Sequence, residues 1–138
     1  MIFNNKSKCT LHQKVVVCEE CHKKYIANNI ERDEVYKYKI DGDVLSPSTS
    51  QPRCDFLVEN ATKGNAYLIE LKGTDITHAV EQIEATICLF SAQLGDYTIL
   101  PRIVYRRNTH GIRSSKVNAF KRKYPKTKIQ TNVIEENI

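Results

Sequence analysis

Apolar and charged residues alternate along residues 35–40, and turn formers follow at 41–43. A loop rich in serine, threonine and proline at 46–52 then leads into an apolar run at 54–58. Alternation is typical of a strand with one exposed face, and a short apolar run bounded by loop formers is typical of a further strand. The pattern therefore predicts two strands separated by a turn and a loop.

The third strand of the pattern is apolar on both faces. Residues 66–72 read Ala-Tyr-Leu-Ile-Glu-Leu-Lys, follow a turn at 61–65, and carry charge only at their end. A strand that is apolar on both faces is typical of a position where both faces of the sheet are covered. We expect this strand to be central.

The clearest helix of the pattern begins after Gly73, where Thr74-Asp75 offers an N-cap. Apolar residues then recur at helical spacing as far as Gly95: Ile76, Val80, Ile83, Ile87, Phe90 and Leu94. Residues 97–105 return to strand character. A short helix at 115–123 and a short strand at 128–130 are predicted to follow.

The start of the chain gives a weaker pattern, in which residues 18–29 predict a short helix after an extended stretch at 15–17. The complete order is then helix, three strands, helix, strand and a basic C-terminal segment. This order predicts an α/β fold with a central mixed β-sheet flanked by helices, written αβββαβ.

Length and composition fit one folded domain, because the chain has 138 residues, of which 41% are hydrophobic and 27% charged. We expect residues 1–138 to form a single domain, with a core at about 18–105 and a basic appendage at about 106–130. No apolar run approaches the roughly 20 residues of a membrane-spanning helix, and the first residues lack the order of a secretory signal. A cytoplasmic protein with no membrane partner is expected.

Charge is distributed unevenly along the chain. Residues 1–96 hold 11 Lys and Arg against 14 Asp and Glu, whereas residues 97–134 hold 10 against none. Such a basic block favours a polyanionic partner, most simply nucleic acid, because cations near phosphates release condensed counterions. A solvated basic face is the alternative. The candidate phosphate contacts are Arg106, Arg107, Arg113, Lys116, Lys121, Arg122 and Lys123.

Candidate chemistry lies on the second and third predicted strands. Asp55 belongs to the second, while Glu70 and Lys72 stand two residues apart on the third, so strand alternation predicts that the latter two share a face. Two neighbouring carboxylates bind Mg²⁺ through oxygen, with Mn²⁺ as a substitute, and the metal activates water and neutralises phosphate charge. Salt bridges at a strand end are the alternative.

The arrangement of Asp55, a turn, and Glu70-Leu71-Lys72 after an apolar strand resembles the PD-(D/E)XK nuclease superfamily, whose common core has a similar element order. The resemblance covers residues 18–105. It implies that Asp55 and Glu70 are metal ligands, that the Leu71 carbonyl is a further ligand, and that Lys72 is the catalytic lysine. The residue before Asp55 is Cys54 instead of the proline of the family name.

The helix after the lysine strand extends this resemblance, because many members carry a glutamine there and Gln82 has a similar place. Some members carry a tyrosine four residues later, where this chain has Thr86. Gln82 shares a helical face with Asp75, His78 and Thr86, and we expect it to support the site. An ordinary exposed glutamine is the alternative. The acidic residue that the family pattern places on the first helix could be Glu19, Glu20 or Glu31.

A second motif, Cys18-Glu19-Glu20-Cys21-His22, has the CxxCH form of a haem attachment site, which requires an exported protein. Zinc binding by Cys18, Cys21 and either His22 or Cys9 is a second interpretation, although a second CxxC is missing. Small thiols packed along a first helix are the third.

Two functions follow from these features. The first is a Mg²⁺-dependent endonuclease acting on DNA, and a homodimer would suit double-strand cutting because one site normally cuts one strand. The second is a catalytically inactive module that keeps the nuclease fold and docks nucleic acid or a protein partner.

Overall fold

The computed structural model describes the backbone of residues 1–110 and 114–138, and the side chains of these residues except 72–73 and 107–110. Two β-sheets and a group of helices form layers within this part of the chain. In chain order the elements are β1 (Val15–Glu20), β2 (Lys23–Asn28), β3 (Val35–Lys39), β4 (Phe56–Asn60), β5 (Asn65–Asp75), α1 (Ile76–Leu89), α2 (Ser91–Leu94), β6 (Thr98–His110), α3 (Ser115–Lys123), β7 (Lys128–Thr131) and β8 (Val133–Asn137).

The larger sheet has five strands in the order β3-β4-β5-β6-β7. Strands β3, β4 and β5 are antiparallel neighbours, whereas β6 and β7 run parallel to β5. Helices α1 and α2 connect β5 to β6, and α3 connects β6 to β7, as parallel neighbours require a crossover. The fold is α/β with mixed sheets, and the prediction that residues 66–72 form the central strand is confirmed.

Both faces of the five-stranded sheet are covered, and β5 contributes to both cores. Ala66 and Leu68 pack in the cluster that contains Ile83 of α1, while Tyr67 and Ile69 pack in a second cluster with residues of the smaller sheet. That smaller sheet has the order β1-β2-β8 and covers the face opposite the helices. Among the described residues, no helix is long and apolar enough to cross a membrane.

The predicted first helix at 18–29 is wrong, because these residues form the end of β1, a two-residue turn and β2. Cys21 and His22 have φ of 50° and 62°, the positive values that a tight hairpin turn needs at both positions. Asparagine and glycine usually mark such turns, so Cys-His gave no signal. The local preference of these residues for a helix is outweighed, because alternate side chains of the hairpin are buried against the larger sheet. The candidate first-helix acids therefore lie on a hairpin or a turn: Glu19, Glu20 and Glu31.

The basic segment at about 106–130, predicted as an appendage, is built into the larger sheet, and the residues that follow it join the smaller sheet. The predicted helix at 115–123 and strand at 128–130 are confirmed as α3 and β7, whereas β8 was not predicted. Strand β8 lies parallel to β2, and Ile134 packs between the sheets.

A buried ion pair ties the two sheets together. Arg102 of β6 donates from Nε to Glu136 Oε1 of β8 at 2.6 Å, and the two side chains are 4% and 8% exposed. Lys128 and the Tyr25 hydroxyl also donate to Glu136, at 2.6 and 2.9 Å. Burial alone would raise the pKa of Glu136, but the hydrogen bonds from Arg102 and Lys128 outweigh it and hold the pKa below its ordinary value.

We expect Glu136→Gln to lower the free energy of unfolding by about 3 kcal/mol at pH 7, because the buried Arg102 loses its counter-charge. The pKa of Glu136 is lowered in the folded state, so its contribution is present above the ordinary value of 4.5. It is lost as the pH falls through the folded-state value. Urea unfolding at pH 7 and well below pH 4.5 should therefore show a large difference from wild type only at pH 7.

The neighbouring Glu135 provides the control, because it is exposed on the same strand and accepts one hydrogen bond from Asn28 at 2.9 Å. Glu135→Gln should change the free energy of unfolding by no more than about 0.5 kcal/mol. Equal losses in the two variants would contradict the role given to Glu136.

Candidate active site

Asp55 and Glu70 are buried carboxylates near the point where β4 begins. The antiparallel pairing of β4 and β5 ends at Phe56 and Ile69, and Asp55 lies just before it. Leu57 and Leu68, two positions further into these strands, pack toward the helices. Alternation along β5 therefore directs Glu70 to the helix-covered face as well.

The Asp55 carboxylate is fixed by the backbone of β5. Its side chain is 2% exposed, and Oδ2 accepts the Leu71 N–H at 2.8 Å. The Asp55 main chain also donates to the Ile69 carbonyl at 3.1 Å and accepts from the Ile40 N–H at 2.8 Å. The main-chain contacts fix the Asp55 backbone, and the Leu71 N–H holds its carboxylate beside the peptide that joins Glu70 to Leu71.

A β-bulge interrupts β5 immediately after Glu70. Glu70 pairs with Ile103 and Gly73 with Tyr105, so three steps along β5 correspond to two along β6. Bulges change the direction of side chains and are common beside active sites. The simple alternation that predicted Glu70 and Lys72 on one face does not apply across this bulge. The side chain of Lys72 lies outside the described residues.

An open cavity of about 400 Å³ lies between Glu70 and the first turns of α1. Asp75 caps this helix, and its Oδ1 accepts the His78 N–H at 3.3 Å. Glu70 is 1% exposed, so it forms the buried wall of the cavity. The remaining lining side chains come from the strand end and the helix: Thr74, Asp75, Thr77, His78, Glu81 and Gln82. The structure thus brings Gln82 and Glu70 to the same cavity.

The thiol of Cys54 lies close to both carboxylates. Burial raises its pKa far above the ordinary value, and the negative charges of Glu70 and Asp55 raise it further. The thiol is therefore neutral at pH 7. Cys54 packs as a small apolar residue in the core between the sheet and the helices, which excludes a thiolate nucleophile at this place.

The carboxylates of Asp55 and Glu70, with the nearby Leu71 carbonyl, supply oxygen donors of the kind that Mg²⁺ binds. No group of three or more His, Cys, Asp and Glu side chains able to hold a metal occurs among the residues that the structure describes. Two protein carboxylates are nevertheless a common ligand set for Mg²⁺, because this ion keeps several of its waters.

The cysteine motif is divided between the core and the surface. Cys18 is fully buried between the two sheets, and burial raises its pKa to about 12. Cys21 and His22 are exposed on the hairpin turn. The interpretation as thiols along a first helix is wrong in its element, because the motif spans a β-turn.

Glu81 is a cavity residue that sequence reasoning missed. Its Oε1 accepts from Lys116 Nζ at 3.1 Å, and its Oε2 lies 3.9 Å from His78 Nδ1. The nearby Thr77 and Ser114 hydroxyls are 3.3 Å apart, so the first turns of α1 and α3 meet beside the cavity. Helical spacing placed Asp75, His78 and Gln82 on one face, but a contact between residues 35 positions apart has no local signal.

The predicted phosphate contacts divide into described and undescribed residues. Lys116, Lys121, Arg122 and Lys123 are exposed on α3, and Arg106 is exposed on β6. Arg107 has a side chain outside the described set, and Arg113 lies outside the described residues. Arg102, by contrast, is buried in the ion pair with Glu136.

Comparisons with protein-family models, with curated proteins and with solved structures found no match for this chain. A function proposed for it therefore rests on its own residues.

The Asp55 contact to β5 leads to a stability prediction. Asp55→Ala should be about 1–3 kcal/mol less stable than Asp55→Asn, because alanine leaves the buried Leu71 N–H without an acceptor. Both variants remove the negative charge, so their difference isolates the hydrogen bond. Urea unfolding and hydrogen exchange at the Leu71 amide provide the measurements. Equal stability and equal exchange in the two variants would show that the contact is unimportant.

Proposed function

We propose that this chain is a metal-dependent nuclease of the PD-(D/E)XK type that hydrolyses phosphodiester bonds, most simply as a DNA endonuclease. One observation carries the proposal. The buried Asp55 carboxylate accepts the Leu71 N–H at 2.8 Å, beside the peptide that joins the buried Glu70 to Leu71. Glu70 in turn lines a solvent-open cavity shared with Gln82.

The order of elements supports the proposal. Strands β3, β4 and β5, helix α1 and strand β6 follow one another in the order that the resemblance implies. Asp55 precedes β4, Glu70 and Lys72 belong to β5, and Gln82 belongs to α1. The first helix of that pattern is replaced by a three-stranded sheet. This departure leaves the proposed site without an acidic residue from a first helix.

The donor set fits a hard divalent cation. Two buried carboxylates that both lie near Cys54 disfavour each other's charge, and a bound cation would offset that cost. Asp55, Glu70 and the Leu71 carbonyl would hold Mg²⁺, with Mn²⁺ as a substitute. When bound, the ion would lower the pKa of a water molecule and neutralise charge on the phosphate. The chain supplies the orientation of these donors through the Leu71 N–H contact.

The exposed cations of α3 fit a role in binding the phosphate backbone. Lys121, Arg122 and Lys123 form the last turn of α3, and Lys116 reaches Glu81 at the cavity. Cationic side chains near phosphates position a duplex without reading its sequence. We therefore propose DNA as partner. A homodimer would allow cleavage of both strands.

Cleavage of plasmid DNA with Mg²⁺ or Mn²⁺ tests the proposed chemistry. We expect Asp55→Asn, Glu70→Gln and Lys72→Ala each to lower the cleavage rate about 100-fold or more, as loss of one group that stabilises the transition state does. Glu84→Gln provides a matched control, because Glu84 lies on α1 and does not line this cavity.

If plasmid, linear and branched DNA all remain uncut with both metals, the proposed nuclease activity is contradicted. If the chain still bound DNA, that result would favour the catalytically inactive module. An equal loss of rate in Glu84→Gln would show that the effect of Glu70→Gln is not specific to the cavity.

The salt dependence of DNA binding tests the basic surface. We expect the triple variant Lys121→Ala, Arg122→Ala, Lys123→Ala to weaken DNA binding by a similar factor for unrelated DNA sequences. The slope of log affinity against log salt should fall by about one for each lost phosphate contact. The control is Lys6→Ala, Lys14→Ala, Lys24→Ala, which removes the same charge from exposed positions near the N-terminus. Equal slopes in the two variants would indicate a general charge effect.

A further inference from the structure

A single buried hydroxyl joins helix α1 to the segment that carries Asp55. Thr86 is 0% exposed, and its Oγ1 accepts the Cys54 N–H at 2.8 Å. The same hydroxyl donates to the Gln82 carbonyl at 2.8 Å. A threonine bond to the carbonyl four residues earlier is a common local feature of helices. The bond from Cys54, 32 residues away, is not local.

The two ends of this bridge belong to different parts of the proposed site. Cys54 immediately precedes Asp55, whose carboxylate accepts the Leu71 N–H of β5. Gln82 lines the cavity together with Glu70. From the structure we infer that Thr86 is a positioning residue, which sets the distance between helix α1 and the Asp55 segment. This inference rests on the proposed function of the same site.

Shape alone does not account for a threonine here. Valine has nearly the same shape as threonine but lacks the hydroxyl, so it would fill the same space without bridging Gln82 and Cys54. The buried Cys54 N–H would then need another acceptor, because buried backbone donors are almost always paired. The start of β4 would shift relative to α1 to find one. Asp55 would move with it, away from the Leu71 N–H that its carboxylate accepts.

Binding of Mn²⁺ alone, measured by titration calorimetry, tests this role without requiring cleavage. We expect Thr86→Val to weaken Mn²⁺ binding about 10-fold or more, in the range observed when groups that orient metal ligands are lost. Thr86→Ser keeps the hydroxyl and should bind within about threefold of wild type. In the cleavage assay, Thr86→Val should lower kcat and raise the Mg²⁺ concentration for half-maximal rate. KM for DNA should change little, because the basic surface of α3 is untouched.

Val80→Ala separates positioning from general destabilisation. Val80 is a buried residue of the same helix that packs in the helix-side core and does not line the cavity. Its truncation should lower Tm while leaving Mn²⁺ affinity at the wild-type value. All titrations are carried out well below the Tm of the least stable variant.

The outcomes distinguish the two proposals. Wild-type affinity in Thr86→Val, or an equal loss in Val80→Ala, would overturn the role of Thr86. If the wild type binds Mn²⁺ but cuts no DNA, the nuclease function fails while the affinities still decide the role of Thr86. If the wild type binds no Mn²⁺, the metal site and the positioning role fail together.

Discussion

The structure depends on one strand that is buried on both faces. β5 directs Ala66 and Leu68 to the helices and Tyr67 and Ile69 to the smaller sheet, so neither face tolerates water. Two covering layers follow from this constraint. Helices α1 and α3 are the crossovers that parallel strands require, and they cover one face. The hairpin β1-β2, joined by β8, covers the other.

The polar residues of the candidate site lie at one end of this apolar strand. The carboxyl group of Glu70 is buried, and Asp55, just before the neighbouring strand, accepts the Leu71 N–H. The bulge follows Glu70 directly. Burying polar groups costs free energy that their contacts must offset. Bulges are common next to active sites. Helix α1 begins beside them, because Asp75 ends β5 and caps the helix. The candidate site thus lies where β5 ends and α1 begins.

Equal charges in the C-terminal part of the chain serve different purposes. Arg102 lies inside the protein and holds β8 through Glu136, whereas Lys121, Arg122 and Lys123 are exposed on α3. A count of charges along the sequence does not distinguish buried cations from exposed ones. Whether a cation is buried depends on which strand residue points into the space between the two sheets.

The sequence alone determined the elements that local chemistry specifies. The apolar run of β5, the Asp75 cap of α1 and the alternation of β3 are each encoded within a few neighbouring residues, and the structure confirms these elements. The pairing of β4, which follows Asp55, with β5, which carries Glu70, was also predictable, because consecutive strands usually pair.

Only the tertiary structure decided the rest. The Cys21-His22 turn has no turn-forming signal, and the hairpin exists because the second face of the larger sheet must be covered. The bulge after Glu70 and the Cys54–Thr86 hydrogen bond depend on register and packing between distant segments. No local pattern records them, because a residue's partners across a sheet are set by the whole fold.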